Sequence, residues 1–354
     1  MCSRTASSIA LLCLVAASLC AQHTPSPALL VLAKSDRSLA VVDPATLKVI
    51  ARAPAGPDPH EVVASPDGKL AYISNYGFGT YHTISVVDLV AQKPLYRINL
   101  GVLRGPHGLA FAGGELYFTA EVNKVIGRYN PASGKIDWIL GTGQNRTHMV
   151  VVSKNLDRIF TSNVSSGTIS IIEKTTVRGG PRTLPPSPGA ARLIGPPPGS
   201  PRQDWNETVI DTGVGSEGFD VSPDGKELWT AAAQNGTVSF INVAEKRVVQ
   251  TLEAHLEGAN RVKFTLDGKY VFVSSLRGDG GDLAIFDARS RTQIKRVHLG
   301  HGAAGMLMQP DGSRAYVACS PDNYVAVIDL KTLQVVGHIY PGRGPDGLAW
   351  AVRE

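Results

Sequence analysis

The sequence predicts an all-β fold, namely a seven-bladed β-propeller of four-stranded antiparallel blades. Three observations indicate it. A turn-forming phrase recurs between short β-rich runs, these runs come in groups of four, and the two ends of the chain supply complementary parts of one group. The composition agrees, because only 18% of the 354 residues are charged, whereas Gly and Pro number 37 and 23. Many short strands joined by tight turns have this profile.

Each repeat predicts four strands, named A to D from the channel outward. The A–B turn is clearest in residues 65–68, Ser-Pro-Asp-Gly, and it recurs at residues 222–225, 265–268 and 309–312. Pro presets φ and Gly accepts a positive φ, so this turn joins adjacent antiparallel strands. Alternating apolar runs such as residues 70–74 and 83–88 follow it as strands B and C. A more polar run, as in residues 95–100, completes the unit as strand D.

The residue just before each predicted A strand serves as an anchor for counting the blades. The anchors are spaced roughly 40 to 47 residues apart, except for one longer gap that contains an insert. Seven anchors predict seven A strands. They are His60, His107, His148, Glu217, Asn260, Ala304 and Asp346.

The two ends of the chain predict how the propeller closes. Residues 28–53 supply strands B, C and D without an A strand, and residues 346–351 supply an A strand without a B strand. Joining them completes one more blade, which brings the number to seven, and hides two sheet edges that would otherwise favour aggregation. We therefore expect one propeller domain over residues 28–354.

The first residues predict an exported protein. Arg4, an apolar run from Ile9 to Leu19 and small residues up to Ala21 follow the order of a signal peptide in residues 1–21, with a leader tail in residues 22–27. Cys20 also allows a lipoprotein, but Leu19 is larger than lipid-attachment sites usually accept. Cys319 is then the single mature cysteine, so no internal disulfide is expected. A periplasmic or secreted monomer without a transmembrane segment is predicted.

An insert explains the formal net charge of +5. Residues 175–204 join a C strand to a D strand, are rich in Pro, and are expected to form a loop on the face opposite the channel mouth. A tolerated surface insertion is one interpretation, and contact with an acidic polymer is the other. The polyanion candidates are Arg178, Arg182, Arg192 and Arg202.

A family resemblance follows from the repeat phrases. Pro-Asp-Gly, then Tyr-Ile-Ser-Asn-Tyr or Ala-Tyr-Val-Ala, then Val-Val-Asp resemble the YVTN repeat of YncE-like β-propellers, which are related in architecture to seven-bladed lactonases. The resemblance covers nearly the whole mature chain and implies the propeller fold. It implies little about activity, because this family includes binding proteins, enzymes and surface-layer components.

Propeller geometry predicts where polar residues converge. The D–A and B–C loops share one face, so the anchors should ring the channel mouth. The ligand or metal candidates are His60, His107, His148, Glu217, Asn260 and Asp346. Further mouth residues are expected behind them: Asn75, His82, Glu121, Asn163, Gln234, His255, Arg277, His301 and Cys319.

Three interpretations of this mouth remain open. The polar anchors could hydrogen-bond neighbouring blades, hold a divalent metal such as Zn²⁺, Cu²⁺ or Ca²⁺ or a small anion, or form a metal-dependent hydrolytic site of the lactonase type. Glu217, Asn260 and Asp346 resemble the metal positions of gluconolactonase-like propellers, although those have six blades and Arg261 replaces a small residue. A nucleotide cofactor is not expected, because no phosphate-binding Gly loop opens a helix.

Overall fold

The computed structural model describes residues 23–178, 201–276 and 282–353, and in them it confirms the seven-bladed propeller. Seven sheets each contain four antiparallel strands. The described residues contain no α-helix, and none of their helical turns is long and apolar enough to cross a membrane. The predicted signal peptide and most of the predicted insert lie outside the described residues.

The strands follow one another from the channel outward in each blade. The first blade contains β1 (Ala28–Ala33), β2 (Ser38–Asp43) and β3 (Lys48–Pro54). The second contains β4 (Pro59–Ala64), β5 (Leu70–Asn75), β6 (Thr83–Asp88) and β7 (Lys93–Asn99). The third contains β8 (Pro106–Ala112), β9 (Glu115–Ala120), β10 (Val125–Asn130) and β11 (Lys135–Gly141). The fourth contains β12 (Thr147–Val152), β13 (Arg158–Asn163), β14 (Thr168–Arg178) and β15 (Pro201–Asp211).

The remaining blades repeat this order. The fifth contains β16 (Ser216–Val221), β17 (Glu227–Ala232), β18 (Thr237–Asn242) and β19 (Arg247–Glu253). The sixth contains β20 (Ala259–Phe264), β21 (Tyr270–Ser275), β22 (Asp282–Asp287) and β23 (Thr292–His298). The seventh contains β24 (Ala303–Met308), β25 (Arg314–Cys319), β26 (Tyr324–Asp329) and β27 (Gln334–Ile339). The last strand, β28 (Pro345–Ala351), pairs with β1 and completes the first blade.

The closing pair confirms the predicted use of the two chain ends. Strand β28 runs antiparallel to β1, with Trp350 opposite Leu29 and Leu348 opposite Val31. Both strands are almost wholly buried. The backbone hydrogen bonds of this pair join residues separated by nearly the whole described chain, and they give the first blade an inner strand like that of the other six.

The apolar core lies between the blades. Seven buried clusters occur, one at each of the seven blade interfaces. Strand β1 shows the reason, because Leu30 and Leu32 pack towards the second blade while Leu29 and Val31 pack towards the seventh. Successive side chains of a strand point to opposite faces, and here both faces are covered. The ring is therefore held by apolar packing all the way round.

The turns follow the predicted chemistry. The amide of Gly68 donates to the Ser65 carbonyl oxygen at 2.9 Å, and Gly68 has a φ of 64°. Asp67 accepts a hydrogen bond from the Ser65 hydroxyl at 2.5 Å and another from the Lys69 amide at 3.2 Å. The polar groups of the repeated phrase thus hydrogen-bond one another within the turn, which lies at the end of the propeller away from the channel mouth.

The predicted insert is partly strand rather than loop. Strand β14 continues to Arg178 and β15 begins at Pro201, with these two residues paired. The eight residues 175–178 and 201–204 therefore extend a C–D hairpin beyond the blade, because their backbones find partners in each other. The remaining residues, 179–200, lie outside the described part of the chain.

Close approach of the inner strands can be tested at Gly305. A Cβ atom placed there would lie 2.1 Å from the Asp346 carbonyl oxygen of the next blade, whereas one at Gly141 would meet nothing within 4 Å. We expect Gly305→Ala to lower the free energy of unfolding by about 1–3 kcal/mol, as overpacking does. Gly141→Ala is the matched control and should change it by less than about 0.5 kcal/mol. Urea unfolding followed by circular dichroism measures both, and equal effects would contradict the packing described.

Candidate functional site

The inner strand of every blade begins with a bulge. In each blade the ladder to the neighbouring strand pairs at the first residue and resumes at the fourth, as for Pro59 opposite Asn75 and Val62 opposite Ile73. The anchors are the second residues of these strands, not the residues before them, which corrects the predicted strand starts. A bulge redirects the side chains of its unpaired residues, and this brings the anchors to the channel.

Hydroxyl groups on the second strands fix these bulges to the next blade. The Thr119 hydroxyl accepts from the Gly108 amide at 2.9 Å and donates to the His148 carbonyl oxygen at 2.7 Å. Ser162 does the same between Met149 and Glu217, at 3.2 and 2.6 Å. Buried backbone groups at the bulges are thereby paired. The hydroxyls hold neighbouring anchors at a fixed spacing around the ring.

The third residues of the inner strands close the channel. Four of them are glycines, at positions 108, 218, 305 and 347, where a Cβ atom would collide with the backbone of the next blade. Long side chains occur instead at Glu61, Met149 and Arg261. The Arg261 guanidinium pairs with the Glu61 carboxylate and lies 3.6 Å from the Met149 sulfur. These three side chains meet across the channel, and Arg261 lines the cavity described next.

A cavity of about 340 Å³ occupies the channel mouth. All six ligand or metal candidates line it: His60, His107, His148, Glu217, Asn260 and Asp346. Ala304, the seventh anchor, also lines it, as predicted for the anchors; the other lining residues were not predicted as members of the site, and they are Lys34, Tyr76, Phe78, Arg146, Arg261, Leu276, Gly302, Ser320 and Pro321. The structure thus brings together anchors that are far apart in the sequence.

His148 is held between two carboxylates. Its Nδ1 atom hydrogen-bonds Glu121, and its Nε2 atom lies 3.2 Å from Glu217 Oε1. Burial disfavours the imidazolium, but attraction to Glu217 and the bond to Glu121 outweigh this effect and raise the pKa of His148. Burial likewise opposes ionisation of Glu217, but attraction to His148 and Arg261 holds its pKa well below the ordinary range. The two carboxylates therefore favour the protonated form of His148.

His107 has the opposite electrostatic character. Its ring stacks on that of His148 with centroids 3.6 Å apart, and only 2% of it is exposed. Burial lowers its pKa well below 6.5, and repulsion from His148, His60, Arg261 and Arg146 lowers it further. His107 is therefore neutral at pH 7, and its buried Nδ1 atom has no hydrogen-bond partner among the described residues.

His60 and Tyr76 complete the aromatic wall beside His107. The His60 ring lies 5.2 Å from that of His107, and burial lowers its pKa below 6.5. The Tyr76 ring contacts both histidines edge to face, at 4.8 and 5.0 Å. The Tyr76 hydroxyl donates to Glu121 Oε2 at 2.7 Å. Glu121, predicted as a further mouth residue, thus orients both His148 and Tyr76.

The predicted oxygen-donor trio is already paired within the protein. Asn260 donates its amide to Glu217 Oε1 at 2.7 Å, and Asp346 forms an ion pair with Lys34 at 2.8 Å. Within the described ranges, no group of three or more His, Cys, Asp or Glu side chains is arranged to hold a metal ion. Metal ligands need free lone pairs directed at one point. The donors present therefore fit an internal charge network better than a metal centre.

The other predicted mouth residues do not line the cavity. Asn75, Asn163 and Cys319 are fully buried, and the two amides bond to Ser and Thr hydroxyls of their own blades. Burial raises the pKa of Cys319 to about 12, so it is an unreactive thiol. Four more lie exposed in loops: His82, Gln234, His255 and His301. Arg277 lies outside the described residues.

The predicted polyanion contacts are only partly described. Arg182 and Arg192 lie outside the described residues, and of Arg178 only the backbone, in β14, is described. Arg202, in β15, is exposed and forms an ion pair with Asp204 at 3.0 Å. The base of their hairpin bonds to the A–B turn through the Lys174 amide and the Asp157 carbonyl oxygen. It therefore leaves the blade at the end opposite the mouth cavity.

Two cations on the rim of the cavity, Lys34 and Arg146, lie outside the anchor positions from which the site was predicted. Lys34 follows β1 in a B–C loop, and Arg146 precedes β12 in a D–A loop. Both loop types were predicted to face the mouth, so their basic residues offered a signal that went unused. Arg146 lies 3.5 Å from Glu121, and its side chain is 41% exposed. The side chain of Lys34 is 31% exposed.

A larger cavity, of about 860 Å³, lies at the opposite end of the propeller. It is lined by A–B turns and by apolar residues that include Val151, Val221, Phe264, Leu307 and Trp350. None of the six ligand or metal candidates lines it. The predicted ligand or metal candidates therefore converge on the smaller mouth cavity and not on this one.

Comparison with known proteins gives limited sequence similarity. No family model matches the chain. Hydrazine synthase subunit beta of Kuenenia stuttgartiensis is 28% identical over an alignment of 171 residues, with coverages of 37% of this chain and 44% of that protein. The match thus spans less than half the length of this curated relative. Membership of the YVTN family stays a prediction.

Solved structures agree on the fold. A functionally unknown protein from Desulfotomaculum acetoxidans has a TM-score of 0.70 at 12% identity, covering 93% of this chain and 100% of that chain. A "putative 6-phosphogluconolactonase" from Bacteroides uniformis has a TM-score of 0.69 at 17% identity, covering 92% and 99%. The chain is therefore a seven-bladed β-propeller with lactonase-like structural neighbours.

The state of His148 can be tested with Glu217→Gln. Because this change removes the attraction of one carboxylate, we expect it to lower the pKa of His148, as measured by long-range ¹H–¹⁵N NMR of the imidazole rings. In the wild type, the folded-state pKa lies above the unfolded value near 6.5. The stabilisation by His148 is thus complete below that pH and is lost as pH rises through the folded pKa.

The urea midpoint of the wild type should therefore fall more between pH 6.5 and the folded pKa of His148 than that of Glu217→Gln. Glu253→Gln, on the exposed end of β19, is the control and should behave as the wild type does. An unchanged His148 titration in Glu217→Gln would contradict the arrangement.

Proposed function

We propose that the protein binds a small anionic ligand in the mouth cavity. The observation that carries this proposal is the position of His107, whose ring stacks on that of His148 at 3.6 Å in a cavity also lined by the cations Lys34, Arg146 and Arg261. A neutral imidazole in a positive field can donate a hydrogen bond to an anion without itself becoming charged. As part of the same proposal, the ligand is met outside the cytoplasm, because residues 1–21 follow a signal-peptide pattern.

The charge pairing supports an anion over a cation. Each carboxylate at the cavity already faces a cation: Glu217 faces His148 and Arg261, Asp346 faces Lys34, and Glu61 faces Arg261. A metal ion would have to displace one of these partners. A guanidinium offers five N–H donors and an ammonium three, which is more than the contacts of Arg146 and Lys34 with the protein require.

The position of these two cations supports the same proposal. Lys34 and Arg146 lie on the rim and are partly exposed, whereas His148 and Arg261 are buried beneath them. An anion entering from solvent would meet the rim cations first. Charge-assisted hydrogen bonds in a partly buried site are stronger than those on an open surface. The cavity volume is near the lower end of the range for small-molecule sites, so the ligand is small.

Removing either rim cation should weaken anion binding. We expect Lys34→Gln and Arg146→Gln each to raise the Kd for acetate roughly tenfold, the value of one charge-assisted hydrogen bond. NMR titration of the histidine ring signals measures this Kd. Lys226→Gln, on an exposed turn, is the matched control because it removes the same charge from the opposite end. If acetate fails to shift the His107 signals, or if all three variants bind equally, the proposal is wrong.

Hydrolysis of a lactone ring is the second candidate function. It is favoured by His107, a neutral base in the cavity, and by the likeness of the fold to the Bacteroides uniformis protein. His107 would take a proton from water as the water oxygen bonds to the lactone carbonyl carbon. Lys34 and Arg146 would face the oxygen that becomes negative. The ring C–O bond then breaks, and the departing alkoxide recovers the proton.

Glucono-δ-lactone is a suitable substrate to test this second function. We expect His107→Asn to lower kcat/KM at least about a hundredfold, which is typical for loss of a general base. The wild-type rate should not decline between pH 8 and pH 6.5, because the pKa of His107 lies well below 6.5. Chelation should leave the rate unchanged. Equal rates for the wild type and His107→Asn, after subtraction of spontaneous hydrolysis, would exclude catalysis by this residue.

A further inference from the structure

The aromatic side chain of Phe78 lies at the cavity mouth, where both its exposure to solvent and its backbone conformation are unfavourable. Phe78 lines the cavity, yet 86% of it is exposed to solvent. Its backbone has a φ of 48° and a ψ of 44°, in the left-handed region that bulky residues avoid. Neither feature contributes to the stability of the fold. Strain of this kind persists where the surrounding structure imposes it, and it occurs preferentially at functional sites.

The turn that carries Phe78 is held rigidly. Asp58 accepts a hydrogen bond from the Gly77 amide at 2.8 Å, and the Tyr76 amide donates to the Asp58 carbonyl oxygen at 3.1 Å. A Cβ atom at Gly77 would collide with the Tyr81 ring, and one at position 79 would lie 2.8 Å from Val122. Among residues 77, 78 and 79, therefore, only position 78 has room for a side chain.

The Phe78 ring continues the aromatic wall of the cavity outward. Its centroid lies 5.5 Å from that of Tyr76 and 6.3 Å from that of His60. Its B–C loop belongs to the second blade, between the loop of Lys34 in the first blade and that of Arg146 before the fourth. An aromatic ring with an open side therefore lies between the two cations proposed to bind the anion.

We infer that the ligand is an aromatic carboxylate, whose flat ring packs against Phe78 while its anionic group reaches Lys34 and Arg146. This inference rests on the proposed anion-binding function and names its ligand class. Offset or edge-to-face packing of two rings is favourable and removes apolar surface from water on both sides. Binding would thus bury the Phe78 ring that the free protein leaves exposed.

Benzoate and acetate separate this inference from the function on which it rests, because they share the carboxylate and differ in the ring. We expect wild-type protein to bind benzoate at least about tenfold more tightly than acetate. Phe78→Gly should abolish this preference. The same change should raise the thermal unfolding midpoint, because Gly accepts the positive φ without strain. Phe78→Tyr should keep the preference, since the ring remains.

Val102→Ala is the control, because Val102 is an apolar residue that is 81% exposed and does not line the cavity. It should keep the wild-type preference. Binding of acetate that depends on Lys34, without any preference for benzoate, overturns this inference and leaves the anion site standing. Failure of both probes to bind overturns the anion site as well. A change of molar mass in Phe78→Gly by light scattering, with an unchanged benzoate preference, would assign the ring to a protein interface instead.

Discussion

The close approach of neighbouring inner strands is the constraint on which the rest of this structure depends. At Gly108, Gly218, Gly305 and Gly347 the backbone of one blade comes too near the next blade to admit a Cβ atom. The bulge that produces this approach also frees the preceding residue from the strand ladder and directs it into the channel. The same bulge in the backbone therefore both allows the packing that closes the ring and places the cavity residues.

Where the inner strands carry long side chains instead of glycine, the channel is filled by charge. Glu61 and Arg261 meet across it, and burial raises the pKa of Glu61 although Arg261 opposes this effect. Isolated charges in such a place would be costly, but each one here faces a partner of opposite sign. Pairing makes the buried groups tolerable and leaves a positive field at His107. Stability and the proposed binding of an anion thus have the same electrostatic origin.

The three histidines show how the surroundings of a side chain alter its pKa. Two carboxylates raise the pKa of His148, whereas burial and, after it, the neighbouring cations lower the pKa of His107, which stacks on it. Free imidazole in water would titrate near neutrality in every case. Opposite environments on adjacent blades separate the pKa values of these two histidines. His148 can therefore supply charge, while His107 can exchange protons or hydrogen bonds with a ligand.

The sequence by itself determined the fold, because its information is local and repeated. A Pro-Asp-Gly turn and alternating apolar runs specify a hairpin wherever they occur. The incomplete groups of strands at residues 28–53 and 346–351 each supply what the other lacks. It also placed His60, His107 and His148 at one mouth, since the anchors recur once per blade.

The tertiary structure alone decided what these anchors do. Partners such as Glu121 and His148 come from different blades, and their ionisation depends on distances that no repeat encodes. Asn75, Asn163 and Cys319 share the predicted face but point into the blades, because a one-residue step along a strand reverses the side chain. The proposed recognition of a ligand by Lys34, Arg146 and Phe78 depends on loops outside the repeat, and loop conformation follows from long-range packing.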